Sequence, residues 1–150
     1  MKKNLLLAAA LALALPFAGA QEKSPAGLWK TIDDHTGKPK ALVRITDAGG
    51  EYSGKIEKLF RAPDEDPNPK CDKCTDARRD QPIVGMTILS GMKRDQSNPA
   101  EYSGGQILDP NEGKIYKSKM ELADGGAKLN VRGYIGMPLL GRTQTWVRAD

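Results

Sequence analysis

Histidine and cysteine are scarce in this 150-residue chain, which holds one of the first and two of the second. An intramolecular zinc site takes about four such ligands, so Cys-rich or His-rich zinc binding has too little to work with. Nucleophilic catalysis of the Ser-His-Asp kind would have to use His35, in Asp33-Asp34-His35-Thr36-Gly37, and no Gly-x-Ser-x-Gly elbow occurs. His35 reads as a turn residue, no carboxylate pair stands out by context, and no catalytic residue is assigned. The acidic run Asp64-Glu65-Asp66-Pro67-Asn68 opens like a calcium loop, but Pro69 takes the place of the required Gly and Thr75 that of the closing Glu. No metal or other cofactor is therefore expected. A concentrated basic stripe is missing too. Lys and Arg alternate with Asp and Glu along most of the chain, which argues against a nucleic-acid partner despite a pI near 9.1. No segment after residue 20 keeps a helical period, and none beyond the N-terminus is a long apolar run.

The N-terminus is what the rest lacks. Lys2 and Lys3 precede an apolar run from Leu5 to Phe17, and Ala18-Gly19-Ala20 follows as a small-x-small site. These are the three parts of a cleavable secretory signal, in order. The run is too short to cross roughly 30 Å of hydrocarbon as a helix, and Pro16 breaks it. No Cys follows the cleavage site, which disfavours a lipid anchor. The expected product is a periplasmic or secreted domain covering 21–150, with no membrane span once the signal at 1–20 is gone. Without the two signal lysines it carries 21 basic and 19 acidic residues, a nearly balanced charge.

Glycine (16) and proline (10) punctuate the domain, and stretches of period-two alternation lie between them. Eight strands are predicted, over residues 27–33, 40–46, 51–59, 83–90, 101–108, 114–122, 128–135 and 142–148. Asp or Asn beside Gly at 34–37, 47–50, 109–113 and 124–126 marks tight reversals between them. Eight antiparallel strands in a meander close into a barrel because closure removes both exposed edges. The predicted fold is all-β, a single small up-and-down barrel. One long irregular loop, 61–82, interrupts it with four prolines and both cysteines. Glu51-Tyr52-Ser53-Gly54 recurs as Glu101-Tyr102-Ser103-Gly104, read as two strands that open alike.

Gly27-Leu28-Trp29, Cys71-x-x-Cys74, Gly104-Gly105-Gln106-Ile107-Leu108-Asp109-Pro110, Arg132-Gly133-Tyr134-Ile135-Gly136 and Gly141-Arg142-Thr143-Gln144-Thr145-Trp146 follow one another in the order seen in a bacterial secreted family, domain of unknown function 2147. The chain resembles that family over essentially the whole segment after the signal. The resemblance implies a small exported protein with a lipocalin-like fold and assigns no activity.

Lipocalins open their first strand with Gly-x-Trp and pack a basic side chain from the last strand across the indole. Trp29 and Arg148 stand at those places, and a guanidinium over an indole face adds about 0.5–2 kcal/mol to what the Trp buries. Trp29 and Trp146 also fit as ordinary core aromatics. In an oxidising compartment Cys71 and Cys74 are expected to form a disulfide that shapes the loop. A redox dithiol is the other reading, if a helical turn from Thr75 through Arg79 follows. On the last two strands, alternation groups Asn130, Arg132 and Tyr134, and separately Arg142, Gln144, Trp146 and Arg148. Facing inward, Arg132, Arg142 or Arg148 would meet a ligand carboxylate or phosphate, Gln144 would share their face, and Tyr134 and Trp146 would cover an apolar body. Facing outward, they are solvated. Short strands leave room for one small ligand at most. The reading is a non-catalytic binding protein for a small amphipathic or anionic ligand. Its alternative is an envelope interaction protein that meets a protein partner through the clamped 61–82 loop.

Overall fold

The computed structural model describes residues 23–150, so the signal proposed at 1–20 lies outside the described residues. Eight antiparallel strands form a closed barrel in chain order: β1 (Gly27–Ile32), β2 (Pro39–Ala48), β3 (Glu51–Leu59), β4 (Thr87–Arg94), β5 (Glu101–Asp109), β6 (Lys114–Ala123), β7 (Lys128–Tyr134) and β8 (Gly141–Arg148). β8 returns to β1 through Trp29↔Arg148 and Lys30↔Val147, which closes the ring. Two single turns of 3-10 helix, Asp124–Gly126 and Pro138–Leu140, complete the regular structure. No helix among the described residues is long and apolar enough to cross a membrane.

Alternation sets the inner surface. Ala41, Val43 and Ile45 of β2 and Leu129 and Val131 of β7 are buried, while Lys55, Glu57, Lys117, Glu121 and Lys128 lie outside. Up-and-down connectivity puts the connections 33–38, 60–86, 110–113 and 135–140 at one end of the barrel. The turns at 49–50, 95–100 and 124–127 lie at the other, with both ends of the domain.

That second end is plugged. Trp29 is fully buried there and donates its indole N–H to the Pro25 carbonyl at 2.7 Å. The Arg148 guanidinium lies 4.3 Å from the Trp29 ring centroid, and it donates to the carbonyls of Ser24, Ala26 and Gly126. The cation thus stacks on the indole and ties the entering chain to the turn before β7. Tyr52 and Tyr102, the two tyrosines of the repeated tetrapeptide, open β3 and β5 and meet edge-to-face at 5.0 Å nearby.

β4 begins four residues later than its sequence suggests, at Thr87 instead of 83, and the irregular connection runs over 60–86. Ile83 and Met86 are both buried in the core, and Gly85 at φ +91° turns the chain between them. Ile83 N–H donates to Pro69, and Gly85 N–H and Met86 C=O both pair with Ile56 of β3. The loop folds on itself through Lys70↔Pro82, and the Cys71–Cys74 disulfide sits fully buried beneath it. Gly113 at φ +69° seats the disulfide segment, since a Cβ there would stand 2.0 Å from the Lys73 carbonyl oxygen. Arg78 pairs with Asp76 and holds its carboxyl down to about 2, mainly through side-chain hydrogen bonds.

A disulfide that closes so short a loop removes little unfolded-state entropy. The Cys71→Ala/Cys74→Ala variant should therefore keep most of its thermal stability. Amide exchange over 70–82 should accelerate sharply while the strands stay protected. Equal loss of protection throughout the barrel would show instead that the bridge supports the whole fold.

Candidate ligand-binding site

The end opposite the Trp29 plug is open. A cavity of about 1250 Å³ enters the barrel there, above the roughly 300–1000 Å³ of common small-molecule sites. That is more room than short strands were expected to leave. The lower wall is apolar, built from Val43, Ile56, Ile88, Leu108, Val131 and Trp146, all buried. Ile83 joins this wall, so the long loop is part of the cup.

The rim is polar and carries both signs. Lys38, Lys40, Arg61 and Arg142 stand there with Asp33, Glu65, Asp109 and Glu112. Arg142 donates through Nε and a terminal nitrogen to Asp34 in the β1–β2 connection. Those bonds raise the guanidinium pKa further, so Arg142 stays cationic. Backbone N–H groups of Thr36 and His35 donate to Asp33 and lower its pKa, the Asx geometry of a turn. Burial and a bond to Glu112 raise that of Tyr116, which remains a phenol at the wall.

Register decides which predicted residues meet. Leu129↔Trp146, Val131↔Gln144 and Gly133↔Arg142 are opposite pairs across β7 and β8, so Arg142, Gln144 and Trp146 share the inner face with the apolar side of β7. All three line the cavity. Arg132 does not. It sits on the outer face opposite Thr143, bonds the Thr143 hydroxyl, and donates to the Pro138 and Leu139 carbonyls of the β7–β8 connection. Tyr134 also belongs to the outer set but reaches the cavity at the strand's end. Arg148 lies at the plugged end with Trp29, outside the cavity.

Trp146 has a further property. It is buried, it walls the cup, and its indole N–H is the one buried side-chain donor without an acceptor among the described residues. An unpaired buried donor costs about 1–3 kcal/mol. Sequence reasoning named Trp146 but missed Lys40, Tyr116 and the apolar wall. Of these, Val43 could have been read from the alternation of Ala41, Val43 and Ile45.

The family model for uncharacterized proteins conserved in bacteria, domain of unknown function 2147 (DUF2147), matches residues 27–148. The chain belongs to this family. Among solved structures, the DUF2147 barrel is similar to protein HP1028 from the human pathogen Helicobacter pylori, described as belonging to the lipocalin family. The two share 18% identity with a TM-score of 0.71, over 86% of this chain and 85% of the other. At that identity the likeness shows the lipocalin-like fold, and the family name adds no activity. No curated protein sequence matches the chain.

Proposed function

We propose that this DUF2147 protein is an exported, non-catalytic carrier that holds one amphipathic molecule in the open cup, apolar body down and polar or anionic end at the rim. The carrying observation is the cavity's polarity gradient, from a buried wall around Val43, Val131 and Trp146 to the cations Lys40, Arg61 and Arg142. A buried disulfide and the absence of an apolar spanning helix among the described residues fit a life outside the cytoplasm. A partner-binding role for the 61–82 loop is less well supported, because that loop lines the mouth of the cup through Arg61, Pro63 and Glu65 and packs its disulfide inward.

Native mass spectrometry of protein purified from its own host should show a bound small molecule that organic extraction removes. The extracted protein should then take up the neutral dye N-phenyl-1-naphthylamine with one-to-one stoichiometry. A chain that is empty as isolated and leaves the dye's fluorescence unchanged would overturn the carrier reading.

A further inference from the structure

The connection between β7 and β8 exposes its apolar side chains. Ile135 is 66% exposed, Met137 59%, Leu139 84% and Leu140 74%, and no charged residue stands between Gly133 and Gly141. Soluble surfaces seldom present four large apolar side chains in six residues without use for them. The segment is not a frayed end. Arg132 holds it from below through Pro138 and Leu139, the Leu140 N–H donates to Met137, and the segment carries the turn Pro138–Leu140. It is a braced, convex tip at the mouth, with Ile135 and Leu140 continuing into the cavity lining.

The rim carries both signs, but the outer face beside the tip is basic. On the outer face just below it, Lys117 pairs across from Tyr134 and Lys119 across from Arg132, which places three cations and a phenol together. Lys119 shares Glu101. The acids of the flanking connections have cationic or hydrogen-bonding partners: Asp33 faces Lys40, Asp34 is held by Arg142, and Glu112 by Lys114 and Tyr116. An apolar tip backed by Lys, Arg and Tyr is the arrangement that inserts into an acyl layer while its cations meet anionic headgroups.

We infer that the β7–β8 tip docks the barrel on an anionic lipid surface, with the mouth of the cup against the bilayer. A protein groove is the poorer fit, because the tip stands beside the cavity mouth and a protein seated on it would obstruct the opening. Lipid contact instead sets the mouth where an amphipathic molecule could pass without crossing water.

The test uses the exported protein and vesicles of phosphatidylethanolamine with phosphatidylglycerol, compared with phosphatidylcholine alone, in a flotation assay at low salt. The protein should float with the anionic vesicles and far less with the neutral ones. Met137→Asp/Leu139→Asp, which spares the cavity lining, should lower partition by roughly tenfold or more. Lys117→Glu should lower it by about fivefold or more, on anionic vesicles only. Uptake of N-phenyl-1-naphthylamine, read on the same preparations, should be unchanged in both variants, which shows that they fold. Dye uptake without vesicle binding would overturn the docking surface and leave the carrier reading intact. Vesicle binding without dye uptake would do the reverse. Wild-type and Met137→Asp/Leu139→Asp protein floating equally, or self-association through the tip in place of flotation, would also overturn the inference.

Discussion

Arg148→Ala should cost the barrel about 2–4 kcal/mol in urea unfolding, more than any other single change to a surface-reaching side chain. The guanidinium donates to three backbone carbonyls, of Ser24, Ala26 and Gly126, and covers the Trp29 ring at 4.3 Å. Hydrogen bonds from a charged donor contribute about 1.5–3 kcal/mol each when desolvated, but Arg148 is only half-buried and water would reach some of the abandoned carbonyls. The lower part of the range applies for that reason. Arg148→Lys separates the two contributions: an ammonium keeps the charge over the indole but cannot serve three diverging carbonyls, so it should recover less than half the loss. Loss below about 1 kcal/mol in Arg148→Ala would mean that indole packing alone seals this end.

The plug was readable through the lipocalin pattern, which sets a Trp in the first strand against a basic residue in the last, where Trp29 and Arg148 stand. A closed barrel makes those strands neighbours whatever happens between them, and Trp29↔Arg148 is a registered pair. The strand count was readable for a related reason: glycine-containing turns recur at intervals that fit short antiparallel strands. The start of β4 was not. Ile83 and Met86 are apolar and sit just ahead of the strand, and only the Gly85 turn and the bond from Ile83 N–H to Pro69 show that they belong to the loop.

The cup was half readable. Alternation within β8 put Arg142, Gln144 and Trp146 on one face, but which face of β7 they join depends on register across the connection 135–140. A slip of one residue would have brought Arg132 inside and Val131 out. Arg132 instead braces the apolar tip from outside, a role that alternation alone could not assign. The cavity's size was also beyond reach of the sequence, since it depends on how the four connections at the mouth stand apart.

The charge arrangement at that mouth gives the carrier reading its strictest check. Arg142 is tied to Asp34, so an anionic headgroup must compete with a carboxylate already in place. Asp34→Asn removes the competitor, and dodecanoate should then bind about threefold to tenfold more tightly. Arg142→Gln should weaken dodecanoate about tenfold, the low end of a charged hydrogen bond because the side chain is 63% exposed and screened by salt. Dodecanol, which keeps the tail and drops the charge, should bind all three proteins within about twofold. Val131→Phe must behave otherwise: it fills the buried wall, so both ligands should weaken together, by tenfold or more. Affinities would come from displacement of N-phenyl-1-naphthylamine. Opposite shifts for Asp34→Asn and Arg142→Gln, confined to dodecanoate, place the headgroup at Arg142. Parallel shifts in both ligands, or none, would place it elsewhere on the rim, with Lys38, Lys40 and Arg61 as the remaining cations.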